Sequence, residues 1–388
     1  MNPSHPDWHA VRVLFDAVAE LAPADRDARL SEPALDAAVV AEVRSLLAHA
    51  GETSAFLQQG AAPPAVVERA GQRLGAWRLS GLLGSGGMGD VWLAERADGA
   101  YAGEAAIKLL KRGMDTEAVL ARFALEQQAL ARLSHPHIAR LLDAGRSDDG
   151  LPYFVMDRVH GRPIHEACEG LTLEARLALF LQLADAVAHA HRHLLVHRDL
   201  KPANVLVDGE GQVKLLDFGI AKALQDDAAE ATHTGQRAFT PQYASPEQVR
   251  GEPVSTATDL YSLGVLLYVM LTGQRPYGRS AGSALEAARA VLEEEPTRPS
   301  SLSPGPQTPA DWLTTRRRLQ GDLDNILLKT LEKPVDRRYP SVEALIADIR
   351  AFLDGYPVSA RAASRSYRAG KFVRRNRAAV AAATCATL

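Results

Sequence analysis

His197-Arg198-Asp199-Leu200-Lys201-Pro202-Ala203-Asn204, followed thirteen residues later by Asp217-Phe218-Gly219, is the stretch on which the reading of this chain turns. It gathers two carboxylates, an amide and a lysine. Phosphoryl transfer asks a protein for an aligned hydroxyl, cations bridging the phosphate oxygens, and positive charge on those oxygens. For that chemistry Asp199 is the acceptor of the hydroxyl proton and Lys201 steadies the transferred group. Asn204 and Asp217 offer the hard oxygen ligands that Mg²⁺ selects. An isolated Asp-Phe-Gly would carry little weight, but at this distance from the longer run coincidence explains it poorly.

Upstream, residues 77–94 read as strand, turn, strand around Gly84-Ser85-Gly86-Gly87-Met88-Gly89. A dinucleotide-binding turn with the same glycine spacing wants a helix directly after it and an acidic residue about 20 positions on. Here a second strand, Val91-Trp92-Leu93-Ala94, follows instead. Glycines lacking Cβ let backbone amides approach phosphates closely, and Val91 is then placed to cover a base. The next strand carries Ala105-Ala106-Ile107-Lys108. Residues 115–133 show helical apolar spacing through Val119, Leu120, Phe123, Leu130 and Leu133, with Glu126 inside that helix.

These motifs together resemble the protein-kinase superfamily, and within it the bacterial eukaryotic-like (Hanks-type) serine/threonine kinases. The resemblance covers about 77–355. It implies an α+β, two-lobed fold, with a β-rich N-lobe over 77–157 and a helical C-lobe over 158–355. It also implies ATP and Mg²⁺ as cofactors, Mn²⁺ being the alternative ion, and proteins as substrates. Lys108 then aims at the α and β phosphates and pairs with Glu126 in the active state, Glu117 being a weaker rival. Ala106, Met156 as gatekeeper, Asp157 and Val159 of the hinge, and Leu206 as floor surround the adenine. A buried strand end without a ligand stays open as a reading of 155–159. By the same resemblance Asp259 holds the catalytic-loop backbone from beneath, and Arg338 pairs with Glu247.

Arg198 beside Asp199 resembles kinases whose activation segment is ordered by a phosphate. That segment, 217–247, offers Thr232 and Thr234 as phosphosites. Thr240, seven residues before Glu247, resembles the threonine that contacts Asp199 and Lys201, a structural role first. Lys201 favours serine or threonine as acceptor. Two departures stand out: Phe239 occupies the place of a common glycine, which puts the substrate groove in doubt, and Ser245-Pro246-Glu247 replaces Ala-Pro-Glu. A scaffold without turnover would usually lack one of Lys108, Asp199, Asn204 or Asp217, and all four are present. A small-molecule phosphotransferase is disfavoured by the protein-substrate platform in 240–247.

The 388 residues have ordinary globular composition, and the only cysteines, Cys168 and Cys385, lie far apart, so no disulfide framework is implied and a cytosolic setting fits. No basic-then-apolar run marks a signal peptide in 1–9. Residues 8–21 and 35–49 have helical apolar spacing, giving an N-terminal helical module over 1–57 joined by a linker, 58–76; docking, dimerisation and simple packing are all open to it. The formal net charge is −3, yet 361–377 holds seven cations, Arg361, Arg365, Arg368, Lys371, Arg374, Arg375 and Arg377, and no acid. Everything else therefore carries about −10. The uncharged 378–388 is too short for a bilayer span of about 20 residues. Arginines before an apolar stretch nonetheless look like a cytoplasmic juxtamembrane segment, so an anionic surface at the inner membrane is an expected partner of the basic run 361–377 within the 356–388 tail. A helical tail without membrane role is the alternative. Nucleic acid is not expected, since the run lacks interleaved stacking aromatics beyond Tyr367 and Phe372.

Overall fold

Alternation of apolar and polar side chains at period two builds six strands between Arg73 and Asp157: β1 Arg73–Leu74, β2 Trp77–Ser85, β3 Gly89–Arg96, β4 Glu104–Leu110, β5 Leu141–Arg146 and β6 Pro152–Asp157. They form one sheet in the order β1-β2-β3-β4-β6-β5, every pair antiparallel. Trp77, Leu79, Trp92, Ala94, Ala105, Ile107 and Val155 bury one face in a core of their own. The opposite face carries Val91, Ala106, Lys108 and Met156.

The structure, a computed structural model, describes residues 69–86, 89–111, 127–218, 241–362 and 364–376, with residues 29, 30, 36, 39, 40 and 43 of the N-terminal segment. The chain divides into two compact units, Met1–Arg69 and Ala70–Leu388. In the first, Leu30, Val39 and Val43 are buried, while most of the two helices expected there lies outside the described residues.

The larger lobe of the second unit is helical. Its long helix α2, Leu173–Arg192, follows the short α1, Ile164–Ala167, and starts where Thr172 accepts a hydrogen bond from Ala175 N. It buries Leu177, Phe180, Ala184 and Val187. Expected over 172–194, it stops at Arg192, because Leu194 takes a left-handed φ of 61° that turns the chain toward the catalytic loop. Helix α3, Pro246–Arg250, is short; α4, Thr256–Thr272, begins in a capping box at Ser255 and is buried almost all round. Gly273 ends it at φ 68°, and a Cβ there would lie 1.8 Å from Gln307 O. A three-stranded sheet, β7 Gly161–Pro163, β8 Val205–Asp208 and β9 Val213–Leu215, carries the segment between the two polar motifs.

Helices α5, Ala284–Glu293, and α6, Trp312–Arg318, were not expected from the sequence. Helix α5 buries Ala287, Ala290 and Val291 along one side. The closing helices, expected at about 321–333 and 341–354, are α7, Asp324–Thr330, and α8, Val342–Leu353. The first is shorter because the backbone kinks at Gln320 and Gly321. The basic tail forms α9, Arg365–Arg375.

Arg338 does pair with Glu247. Both guanidinium nitrogens donate to the carboxylate at 2.8 Å, Thr258 Oγ1 donates to it at 3.0 Å, and both side chains are buried. Burial pushes the Glu247 carboxyl up, but the Arg338 hydrogen bonds and charge more than offset it, holding it below the usual range. Truncating one partner leaves a buried charge uncompensated, which costs about 3–5 kcal/mol. Arg338→Met is expected to lower the denaturant midpoint accordingly; an unchanged midpoint contradicts this.

Candidate active site

Strand partners share a face of a pleated sheet. Val91 pairs with Lys108, Lys108 with Phe154, and Ala106 with Met156, so Val91, Ala106, Lys108 and Met156 lie together on the face opposite the small core. At the rim of that face β2 ends at Ser85, and Gly86 N donates to Gly89 O at 3.0 Å. Gly89 must be glycine, since a Cβ would stand 2.5 Å from Leu109 O. Gly84, in contrast, would meet no protein atom within 4 Å, and Gly86 only Gly89 O at 3.7 Å. The space over these glycines suits close approach of a phosphate to the backbone. Ser85 Oγ donates to Asp90 at 2.5 Å, and Lys111 Nζ donates to Gly86 O at 2.6 Å, bracing the turn.

Across the cleft, Asp259 accepts from His197 N at 2.7 Å and from Arg198 N at 2.8 Å, and His191 Nε2 lies 2.8 Å from it. This grip, expected from beneath the loop, presents Asp199, Lys201 and Asn204 on one side. Lys201 Nζ sits 2.8 Å from the Asp199 carboxylate. Asn204 Nδ2 donates to Asp199 O at 2.8 Å and to its carboxylate at 3.2 Å, leaving the amide oxygen as the end suited to a cation.

Leu216 stitches this loop to Asp217. Its N donates to Asn204 O at 2.8 Å, and its carbonyl accepts from His197 Nε2 at 2.9 Å. Asp217, at φ 43°, then meets Lys108 Nζ at 2.5 and 2.6 Å, joining the two lobes through one ion pair. Lys108 is only 8% exposed. Its sequence-expected partner Glu126 lies outside the described residues, as do Gly87, Met88, Thr232, Thr234, Phe239 and Thr240. Asp157 ends β6 with its side chain taken by Arg140 Nε at 3.0 Å and its own N donating to Arg140 O at 3.0 Å. Val159 and Leu206 are half-buried.

The donor set fits a phosphate-borne divalent cation. Among the described residues no group of three or more His, Cys, Asp or Glu could hold a metal alone. Mg²⁺ is typically held by one or two carboxylates plus substrate phosphates and water, not by an all-protein cage.

His197 is a residue whose role the sequence reading missed. Its Nδ1 accepts from Asp199 N at 3.3 Å while Nε2–H donates to Leu216 O, so the ring bridges both motifs as a neutral imidazole. Its ring also packs at a tilt against Phe218, centroids 4.8 Å apart. Burial pushes it below its usual value of 6.5. The only sequence signal was its place directly before Arg198.

Fold and site together define a two-lobed class of protein in which a sheet supplies the lysine of the cleft and a helical lobe supplies its acids. The model of the protein kinase domain family matches residues 77–346, and the chain belongs to that family. It is 37% identical over 305 residues to a probable serine/threonine-protein kinase of Streptomyces coelicolor, covering 77% of this chain and 43% of that protein. It is 36% identical to the serine/threonine-protein kinase PrkC of Bacillus subtilis, over 73% of this chain and 42% of the other, and 33% identical to PknB of Mycobacterium tuberculosis, over 73% and 44%. The chain thus spans less than half the length of these relatives. Among solved structures, the Mycobacterium tuberculosis PknI kinase domain superposes with a TM-score of 0.52 at 26% identity, covering 73% of this chain and 98% of that one.

Burial also lowers His135 and His189, whose rings lie 4.9 Å apart. Near pH 6.5 the unfolded chain takes up protons that these folded imidazoles resist. Their contribution is therefore full above that pH and is lost as pH falls below it. The melting temperature is expected to fall between about pH 7.5 and about pH 5.5, with a shallower slope in His189→Gln; a midpoint that rises on acidification contradicts the assignment.

Proposed function

We propose that the chain is an ATP-dependent serine/threonine protein kinase that moves the γ-phosphate of ATP onto hydroxyls of protein substrates. The observation that carries this is the convergence of Lys108 and Asp217 with the Asp199, Lys201 and Asn204 cluster through Leu216. Lys108 orients the α and β phosphates under the glycine turn. Asp199 accepts the proton of the acceptor hydroxyl, and Lys201, 2.8 Å from it, follows the transferred oxygens. Asp217 and the Asn204 oxygen hold Mg²⁺, which when bound neutralises charge on the phosphate oxygens. Thr232 or Thr234, once phosphorylated, pairs with Arg198 and orders the activation segment, and Thr240 shapes the acceptor site.

With Mg²⁺ and γ-labelled ATP the purified chain is expected to label serine or threonine. Asp199→Asn lowers turnover by about 10²–10⁴-fold, and Asp217→Ala abolishes it. Labelling that survives Asp217→Ala removes the proposed metal site.

The tail belongs to a second proposal, an anionic lipid surface as partner, which would hold the kinase at the cytoplasmic face of a membrane. Lys371 Nζ reaches Asp322 at 2.6 Å and Tyr367 OH accepts from Val358 N at 3.0 Å, docking α9 on the large lobe. Phe372 and Val373 stay exposed beside Arg365, Arg368 and Arg375. Each cation near an anionic leaflet contributes roughly 1 kcal/mol. Among the described residues no helix is long and apolar enough to cross a membrane. The chain is expected to sediment with phosphatidylserine vesicles and to be released as salt screens the charges; equal binding to neutral vesicles contradicts this.

A further inference from the structure

The peptide joining Arg198 to Asp199 aims the catalytic carboxylate, and it leaves Arg198 in a left-handed conformation, φ 65°, that a side-chain-bearing residue adopts only under constraint. The constraints are countable. Arg198 N is held by Asp259, and Asp199 N by His197 Nδ1. The Arg198 carbonyl accepts from Gln248 Nε2 at 2.9 Å, from a helix 50 residues further along the chain.

Gln248 has another task. In the capping box of α3, Ser245 Oγ accepts from Gln248 N at 3.3 Å and Gln248 Oε1 accepts from Ser245 N at 3.1 Å. A capping box is built equally well by glutamate or glutamine, since only an acceptor oxygen is required. Only glutamine keeps an N–H₂ to donate elsewhere. The amide nitrogen is therefore surplus to the cap and is spent on the catalytic loop.

We propose that Gln248 is a positioning residue for Asp199: its amide ties the carbonyl before the catalytic base to the segment that ends at Glu247, so that the acceptor-site platform and the base are set together. The inference rests on the kinase reading for its functional consequence, though its geometry stands apart from it. Glu247, one residue earlier, is locked by Arg338, so the donor is presented from a fixed support. The catalytic loop is thereby held from two sides, by Asp259 on α4 and by Gln248 on α3.

The substitution Gln248→Glu separates the two tasks. It keeps the cap and sets a carboxylate oxygen against the Arg198 carbonyl; Gln248→Ala loses both. The purified chain is compared in three forms by thermal melting, by kcat and KM for ATP, and by hydrogen exchange of the peptides covering 197–204 and 245–251. Gln248→Glu is expected to melt like the unsubstituted chain, keep its KM for ATP, lose at least about tenfold in kcat, worth about 1.4 kcal/mol, and exchange faster over 197–204 alone. Gln248→Ala is expected to melt lower as well. If Gln248→Glu matches the unsubstituted chain in kcat or in exchange over 197–204, Gln248 is a helix cap and the inference falls. If the unsubstituted chain transfers no phosphate, the kinase reading falls instead, and the exchange of 197–204 still decides the placement of Gln248.

Discussion

A single buried carboxylate organises the reaction centre. Asp259, 1% exposed at the first turn of α4, takes hydrogen bonds from two consecutive backbone amides of the catalytic loop and lies against His191. Loops are ordinarily the mobile part of a fold. Here the loop of the candidate site is fastened to the most buried helix of the large lobe, and Asp199, Lys201 and Asn204 inherit that rigidity. Charge-assisted hydrogen bonds to backbone amides are the stronger kind, so the fastening also sustains the left-handed backbone at Arg198.

From that anchor the site is extended by sharing. Leu216 accepts from His197 and donates to Asn204, so Asp217 cannot shift without disturbing the loop. Asp217 in turn meets Lys108 of the six-stranded sheet. The cleft is thus closed by a chain of contacts: helix to loop, loop to Asp217, Asp217 to sheet. The larger core also takes in Leu110 and Phe154 of the sheet, so the lobes share apolar packing beside the Lys108 and Asp217 pair. Positive φ at Arg198 and Asp217 marks where the backbone is bent to satisfy this geometry.

Much of this was legible in the residues themselves. Dense motifs such as 197–204 and 84–89 combine residue types that serve no packing purpose in that order, so chemistry is the simplest reason for them. The match of Ala105-Ala106-Ile107-Lys108 to the kinase pattern singled out Lys108 without a structure. Buried amphipathic helices were visible as well. What the sequence hid was relational. Helix α5 is short and buries only Ala287, Ala290 and Val291, and α7 is cut short by non-helical backbone at Gln320 and Gly321. His197 and Gln248 act through contacts 19 and 50 residues away, and neither residue type announces a partner. The resemblance named Glu126 as partner of Lys108, whereas the pair present among the described residues is with Asp217.

The account depends on groups from two lobes meeting around one triphosphate, and the most direct measurement is a crystal structure of the chain with Mg²⁺ and a non-hydrolysable ATP analogue. The account predicts metal density ligated by Asp217 and by the Asn204 oxygen, with the α and β phosphates against Lys108 and the glycine turn. A nucleotide bound elsewhere, or Lys108 and Asp217 facing separate cavities once it is bound, would contradict it.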